Sequence, residues 1–288
     1  MQRTVKRVFR HENTIYLLLL PSLLGLAVFY VVPFGISMYY AAIDNAVSRQ
    51  FVGIANLVDT WNNEAFALAV RNTLFFMGVS IPLNMLFALA LALMLRPMRP
   101  ATRRGLMLFF LLPLVIPSGS MVFFWQSFIA FTGTFNRLFF PSAPVDWLNS
   151  DHAMWFIIFI FLWKNVGFNM ILFQAGLDFI PKEYYEYAQV EGAGAFKQFT
   201  IVTLTYLGPT FLLVFILSVV NSFKVFREVY LLTGTHPNFS IYLIQHFLNN
   251  QFANLNYQRM ASASFFTFGF IFVLVLILYR LQQRQTYM

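Results

Sequence analysis

Polar side chains interrupt the apolar stretch FLWKNVGFNM at residues 161–170. Asn165 and Asn169 lie four residues apart and therefore share one face of a helix, while Lys164 and Phe168 form the adjacent stripe. Amide groups both donate and accept hydrogen bonds, so they suit a ligand that is rich in hydroxyl groups. A charged side chain inside a membrane is costly and normally faces protein or water. Two interpretations of Lys164 stay open: it contacts a solute, or it pairs with a carbonyl group or a partner-subunit carboxylate and fixes helix packing.

A second polar cluster lies in the segment SVVNSFKVFREV. Ser218 and Ser222 share one helix face, as do Lys224 and Glu228. The spacing of Lys224 and Glu228 favours an ion pair within the helix, which contributes roughly 0.2–0.5 kcal/mol. Ser222 is the better candidate for a contact with a hydroxyl-rich ligand, because a hydroxyl group can donate and accept.

No arrangement of residues typical of an enzyme is present in the sequence. The four histidines, at positions 11, 152, 236 and 246, are scattered, and there are no cysteines. The patterns H-E-x-x-H, Gly-x-Ser-x-Gly and the P-loop Gly-x-x-x-x-Gly-Lys-Ser/Thr are all missing. We therefore expect that the chain is not an enzyme, that it binds no metal or cofactor, and that it does not hydrolyse ATP by the P-loop route.

The composition indicates that lipid surrounds most of the chain. Of the 288 residues, 59% are hydrophobic and only 10% are charged, with a mean hydropathy of +0.67. Soluble domains carry about 25% charged residues, so too few charges are available here to cover a water-facing surface. The net charge of +8 could suggest a nucleic-acid ligand, but the positions of the basic residues explain it better.

The apolar runs predict an all-α membrane protein with six transmembrane helices in one domain, residues 1–288. The first run is too long for the apolar region of a signal peptide, so we expect a retained span. Pro113, Pro117 and Gly119 interrupt the third span and predict a bend that lines an internal cavity. The segment FVGIANLVDTW predicts a short surface helix in the first external loop. The predicted spans are 15–42, 65–95, 105–130, 152–176, 202–226 and 259–279.

The distribution of lysine and arginine predicts the orientation of the chain. With the N-terminus inside, twelve basic residues fall in inner segments and four in outer segments. Both termini and the loop between spans four and five are therefore expected in the cytoplasm. The inner residues are Arg3, Lys6, Arg7, Arg10, Arg96, Arg99, Arg103, Arg104, Lys182, Lys197, Arg280 and Arg284. The outer residues are Arg49, Arg71, Arg137 and Arg259. Near the outer interface, where amphipathic rings are favoured, lie Trp61, Trp125, Trp147 and Trp155.

The loop between spans four and five is a long polar interruption at residues 180–209. Its first part predicts a short helix. Pro181 suits the first helical position, where a missing N–H costs nothing, and Asp178 is a candidate cap. Glu183 and Glu186 fall in the first turns, where acidic side chains complement the positive end of a helix.

The same loop carries a spaced pattern of one acidic residue, small residues and glycine. Gly192 and Gly194 are predicted to end the helix, since glycine adopts the left-handed conformation at little cost. The pattern consists of Glu186, Tyr187, Ala188, Gly192, Val202, Leu204 and Thr205.

This pattern resembles the cytoplasmic loop of ATP-binding-cassette importer permeases. That family carries Glu-Ala-Ala, three residues, Gly, nine residues and then Ile-x-Leu-Pro. Here Tyr187 replaces the first alanine and Thr205 replaces the proline. The resemblance covers nearly the whole chain, including RNTLFF, WKNVGFNMILFQAGLDFIPKEYYE and SFKVFREVYLLTGTHP. The chain is most similar to the carbohydrate-transporting, maltose-type branch.

The resemblance implies a permease subunit in a bacterial or archaeal cell membrane. It implies a second permease as a heterodimeric partner, two ATPase subunits that hold ATP and Mg²⁺, and an extracytoplasmic solute-binding protein that delivers a sugar. The implied residues that couple to the ATPase are Glu183, Glu186, Tyr187, Ala188, Glu191, Gly192 and Gly194. The implied substrate path, near the middle of the bilayer, comprises Lys164, Asn165, Phe168, Asn169, Ser218 and Ser222.

Two other function classes stay open from the residues alone. A self-contained secondary carrier or channel would need internal repeats or a coupling carboxylate buried in a span. No repeat is visible, and no Asp or Glu falls in the middle of a predicted span. An intramembrane enzyme would need a catalytic arrangement that the sequence does not offer.

Overall fold

The computed structural model describes residue 16, residues 18–45 and residues 47–286, with side chains described as far as residue 280. Regular structure in this part of the chain is helical apart from an isolated antiparallel bridge between Ile43 and Phe51. The predicted start of the first span and the four basic residues at positions 3–10 lie outside the described residues.

The helices follow one another from the first span to the C-terminal segment. Two π-helical segments, Ala27–Val31 and Phe199–Thr203, and a 3₁₀ turn, Phe239–Ile241, accompany them. The α-helices are α1 (Val32–Ala42), α2 (Ala55–Trp61), α3 (Glu64–Leu95), α4 (Pro100–Val115), α5 (Ser118–Ile129), α6 (Thr134–Phe139), α7 (Ala153–Asp178), α8 (Lys182–Val190), α9 (Ala195–Gln198), α10 (Leu204–Tyr206), α11 (Gly208–Lys224), α12 (Phe226–Thr233), α13 (Ile244–Ala253) and α14 (Tyr257–Thr286).

The predicted all-α membrane architecture is confirmed, with five or six candidate spans in the described residues. A sixth span is present if α4 and the segment Ser118–Phe139, which meet at a bend of 89°, cross the membrane together. Ile116 is extended because the residue before a proline, here Pro117, is disfavoured in the helical region. The five uninterrupted candidates are Leu18–Ala42, Glu64–Leu95, Ala153–Asp178, Gly208–Thr233 and Tyr257–Arg280.

The long helix of the fifth candidate span begins later in the chain than the approximate start predicted at residue 202. The chain passes through a π-helical segment, and the long helix begins only at Gly208, with Pro209 in its first turn. Proline is favoured there because its missing N–H would have no partner within the helix. The candidate span runs to Thr233, so Glu228 lies inside it and not beyond its end, as the predicted end at residue 226 implied.

Contacts divide the chain into two compact units, and the first comprises Met1–Asn63 with Gln251–Gly269. In its described part, the predicted surface helix is confirmed as α2. Arg259 of α14 forms an ion pair with Asp59 of α2, and the rings of Trp61 and Phe266 are 5.3 Å apart. These contacts join α2 to the N-terminal part of the last helix.

The second unit comprises Glu64–Asn250 with Phe270–Met288 and is built around α7. This helix packs against α3, α4 and α11. The contact with α4 is close, because a Cβ atom added at Gly167 would lie 1.9 Å from the carbonyl oxygen of Phe110. Small residues let transmembrane helices approach in this way. The packing leaves α7 with polar groups aimed at several neighbours, and these groups form the candidate site.

Candidate functional site

A cavity of about 330 Å³ lies at the bend between α4 and α5. The bend, α7, the end of α11 and the start of α12 all contribute to its wall. The prediction that the interrupted third span lines a cavity is therefore confirmed. The polar groups of the wall are Ser118, Lys164, Asn165, Asn221, Lys224, Arg227 and Glu228.

An ion pair between Lys164 and Glu228 crosses one side of this cavity. The Glu228 side chain is only 4% exposed and the Lys164 side chain 20%. Ser118 joins the pair: its Oγ donates to Glu228 Oε1 at 3.0 Å, and Lys164 Nζ lies 3.3 Å from the same Oγ. The three residues, which we call the charged cluster, connect α5, α7 and α12. Lys164 thus has a carboxylate partner within its own chain.

The predicted ion pair between Lys224 and Glu228 is wrong. A single turn residue, Val225, lies between α11 and α12, and the Glu228 carboxylate pairs with Lys164 of α7 instead of with Lys224. Lys224 Nζ instead donates to Asn221 Oδ1 at 3.2 Å. Lys224 and Arg227 are exposed along the cavity, which makes this part of the wall positively charged.

A second group of polar side chains, which we call the amide cluster, is buried beside the cavity. Asn169 Nδ2 donates to Asn84 Oδ1 at 2.5 Å and to Ser218 Oγ at 2.9 Å. None of the three residues is more than 1% exposed. The cluster connects α3, α7 and α11 through hydrogen bonds that water does not reach.

Two of the six predicted substrate-path residues line the cavity, and the other four do not. Lys164 and Asn165 line the cavity, although Asn165 Nδ2 also donates to the carbonyl oxygen of Phe161 at 2.8 Å. Ser222 is buried and donates to the carbonyl oxygen of Val219 at 2.6 Å. The predicted residues that do not line the cavity are Phe168, Asn169, Ser218 and Ser222.

Ser118, Asn221 and Glu228 line the cavity, although the sequence did not predict them as substrate-path residues. Ser118 directly follows Pro117, which is part of the predicted bend. Its position next to this proline is the feature of the sequence that could have indicated a place on the cavity wall. The predicted end of the fifth span at residue 226 leaves Glu228 outside a span, whereas the candidate span runs to Thr233. No local pattern in the sequence indicates that Glu228 meets Lys164, which lies 64 residues away.

The short helix predicted in the polar loop is α8, and its glycine end is confirmed. Gly192 has a φ of +77°. Its N–H donates to the carbonyl oxygen of Gln189 at 3.0 Å, and the N–H of Ala193 donates to that of Ala188 at 2.9 Å. These two bonds form a Schellman motif, which satisfies the last carbonyl groups of the helix. Gly194 has a φ of −67° and begins α9, so a single glycine ends α8.

The predicted start of α8 needs two corrections. Pro181 is the N-cap residue, one position before the first helical residue, because its ψ of 136° is extended. Asp178 is not a cap: it ends α7, and its Oδ1 accepts hydrogen bonds from Arg103 at 3.2 Å and Gln174 at 3.0 Å. Glu183 lies in the first turn, as predicted.

The inner face of α8 packs through Tyr185 and Ala188 on an apolar cluster within the second unit, to which α8 itself belongs. The Tyr185 hydroxyl accepts a hydrogen bond from Arg96 Nη1 at 3.0 Å and lies 2.9 Å from Thr203 Oγ1. The Arg96 guanidinium also lies 4.8 Å from the centre of the Tyr185 ring. Helix α8 is therefore connected both to the end of α3 and to the π-helical segment before α11.

The outer face of α8 exposes large apolar side chains beside acidic ones. Tyr187 is 69% exposed and Val190 is 86% exposed, and Phe196 of α9 is 80% exposed. Glu183, Glu186, Glu191, Gly192 and Gly194 are also exposed. Apolar and acidic side chains therefore lie side by side on the exposed surface of this short helix, which ends in a Schellman motif.

The family model for the inner membrane component of binding-protein-dependent transport systems matches residues 84–287. The chain belongs to this family. This match confirms the resemblance to ATP-binding-cassette importer permeases. The chain is therefore an integral membrane component of a transport system.

One relative and two solved structures illustrate the likeness. The trehalose/maltose transport system permease protein MalF of Thermococcus litoralis is 31% identical over 242 residues, 81% of each chain. A bacterial ABC transporter involved in the import of the acidic polysaccharide alginate has a TM-score of 0.82 at 21% identity, covering 98% of this chain and 99% of the other. A bacterial alginate ABC transporter in complex with an alginate pentasaccharide-bound periplasmic protein has a TM-score of 0.81 at 21% identity, covering 96% of each chain. The structural likeness extends over almost the whole fold.

Proposed function

We propose that this chain is the membrane-spanning permease subunit of an ATP-driven importer for a sugar or an oligosaccharide. The observation that carries this proposal is α8, a short exposed helix whose outer face holds Tyr187 and Val190 and whose inner face is anchored through Tyr185. Such a helix offers a separate subunit an apolar surface and transmits its motion to α3 and α11. The trehalose/maltose permease relative supports the substrate class.

The proposed assembly contains four further proteins. A second permease pairs with this chain as a heterodimer, and two ATPase subunits bind ATP and Mg²⁺ on the cytoplasmic side. An extracytoplasmic solute-binding protein delivers the sugar to the outer loops. The complex of the structurally similar alginate transporter with a periplasmic protein supports this last partner. Both termini and α8 are proposed to lie in the cytoplasm, in agreement with the excess of basic residues in those segments.

Movement of α8 drives alternating access in this mechanism. Closure of the ATPases displaces α8, and the contacts of Tyr185 with Arg96 and Thr203 pass the displacement to α3 and to the segment before α11. The helices then turn from an inward-open to an outward-open arrangement. The π-helical segment is a suitable place for such bending, because its wider turns interrupt the regular hydrogen-bond ladder.

The cavity at the bend is the proposed part of the sugar path within this chain. Asn165 and Asn221 offer amide donors and acceptors, which match the hydroxyl groups of a sugar. Because Glu228 already balances the charge of Lys164, Lys164 does not by itself require an anionic sugar. Phe168, Asn169, Ser218 and Ser222 then act behind the cavity wall, by supporting the helices that form it.

A pair of substitutions at Gly192 tests the role of α8. A Cβ atom added there meets nothing within 4 Å, so a side chain is strained only by the positive φ. Valine rarely adopts this conformation, whereas asparagine does so more readily. Gly192→Val should disturb the end of α8 and lower ATP-driven uptake several-fold in reconstituted vesicles, while Gly192→Asn should retain most of it. Full uptake by a correctly assembled Gly192→Val transporter would contradict the coupling role.

A secondary carrier is the second candidate, and one observation favours it. Glu228 is a buried carboxylate within a candidate span, which is the feature that such a carrier needs and that the sequence alone did not reveal. Its pairing with Lys164 provides a structural explanation for its burial. Uptake by the purified chain alone, driven by an ion gradient without ATP, would support the carrier. Uptake that needs ATP and the partner subunits would exclude it.

A further inference from the structure

The wall of the cavity at the bend carries more positive than negative charge. It contains the cations Lys164, Lys224 and Arg227, whereas Glu228 is the single carboxylate among the described residues that line it. Because Glu228 is paired with Lys164, two positive charges are left on the rest of the wall. An inference from this excess about the ligand rests on the proposed function, since it takes the cavity as part of the sugar path.

Lys224 and Arg227 lack a counter-charge within the part of the chain that the structure describes. Neither side chain takes part in an ion pair there. Lys224 uses one of its three N–H donors on Asn221 Oδ1, at 3.2 Å. No side-chain hydrogen bond of Arg227 occurs among the described residues. Both groups therefore keep donors and a full charge for a partner outside this chain.

The two cations lie at a depth where an unbalanced charge is costly. Both belong to the candidate span Gly208–Thr233, and charged side chains inside a membrane normally pair with another charge or mark a substrate pathway. Lys224 and Arg227 are exposed and line a space of about 330 Å³. This volume is at the lower end of the roughly 300–1,000 Å³ of small-molecule sites. The cavity thus has room for a ligand that carries the balancing charge.

The free groups of this part of the wall are donors. The Arg227 guanidinium has five N–H donors in a planar fork, which matches two oxygen atoms of a carboxylate or a phosphate. The Asn221 oxygen accepts from Lys224, and its amide nitrogen is a further donor. Donors and positive charge together select a group with negatively charged oxygen atoms, which a neutral sugar lacks. We propose that the cavity binds an acidic sugar, whose carboxylate or phosphate contacts Lys224 and Arg227.

The first test compares acidic and neutral sugars in ATP-driven uptake by the assembled transporter in vesicles. The transporter, with its solute-binding protein, is offered a panel of neutral oligosaccharides, oligosaccharides that contain a uronate, and sugar phosphates. Uptake of an acidic sugar should exceed that of its neutral counterpart roughly 10-fold or more, as expected when hydrogen bonds to a charged group are lost. The preferred acidic class distinguishes a carboxylate from a phosphate. This comparison needs no variant.

The second test assigns the preference to the two cations. Lys224→Gln and Arg227→Gln each keep a polar side chain and remove one charge, so each should lower uptake of the acidic sugar roughly 10-fold. The unaltered solute-binding protein should bind that sugar as before. Arg104→Gln is the matched control, because Arg104 is also exposed and does not line the cavity.

Three results would overturn the acidic ligand while leaving a sugar permease in place. The first is equal or better uptake of neutral sugars by the unaltered transporter. The second is uptake of an acidic sugar that Lys224→Gln and Arg227→Gln lower no more than Arg104→Gln does. The third is loss of the second permease from these two variants on purification, which would show that a partner carboxylate balances the cations. Uptake of no sugar of any class would instead contradict the proposed function itself.

Discussion

The charged cluster and the amide cluster both use α7, yet they lie in different surroundings. Lys164 and Asn169 are five residues apart, about 7.5 Å along the helix. Lys164 faces a cavity and pairs with Glu228 and Ser118. Asn169 faces packed helices and binds Asn84 and Ser218. One helix therefore carries both a wall of the proposed path and a contact that holds the bundle together.

The difference follows from the cost of burying a charge compared with that of burying an amide. An ion taken out of water needs a counter-ion and further hydrogen bonds. For Lys164, Glu228 is the counter-ion and Ser118 provides the hydrogen bond. A buried amide needs only ordinary hydrogen bonds, which neighbouring transmembrane helices provide. Polar residues in a span thus divide into groups that face water-accessible space and groups that join helices.

The largest effect is expected from breaking the charged cluster. Lys164→Met leaves Glu228 buried without its counter-ion, which should cost about 3–5 kcal/mol of stability. Thermal unfolding of the detergent-purified chain should show this loss. The double variant Lys164→Met/Glu228→Leu removes both charges and should regain most of the stability. If the single and double variants unfold at the same temperature, the ion pair is not the source of the effect.

A smaller effect is expected at Gly167, which lies on α7 between the two clusters. A Cβ atom there would lie 1.9 Å from the carbonyl oxygen of Phe110, so Gly167→Ala should push α4 and α7 apart. Overpacking of this kind costs about 1–3 kcal/mol. Gly78→Ala is the control, because a Cβ atom at Gly78 meets nothing within 4 Å. Equal melting temperatures for the two variants would contradict the close approach of α4 and α7.

The smallest effects are expected in the amide cluster. Asn169→Ala removes two hydrogen bonds between helices and should cost about 1 kcal/mol, since each such bond contributes about 0.6 kcal/mol in membranes. Ser218→Ala removes one bond and should cost about half as much. Both variants should leave the affinity for sugar unchanged in binding assays on the reconstituted transporter. A loss of affinity at normal stability would place the amide cluster on the sugar path and contradict its purely structural role.

Local patterns in the sequence determined much of the fold. Apolar runs of about 20 residues fix a membrane-spanning helix because the thickness of the bilayer sets its length. The prolines of PLVIPSGS predicted the bend, since Pro117 keeps Ile116 out of the helical region. Gly192 predicted the end of α8, because a positive φ favours glycine. Each of these inferences depends on a few adjacent residues.

Only the tertiary structure decided which polar groups meet. Glu228 pairs with Lys164 on another helix instead of with Lys224, and a helical repeat of 3.6 residues shows only which residues of one helix share a face. Burial of Asn169 and exposure of Lys164 to a cavity depend on the neighbouring helices, which come from distant parts of the chain. Sequence periodicity shows which residues share a face of α7, whereas the packing of α3, α4 and α11 around α7 decides what that face contacts.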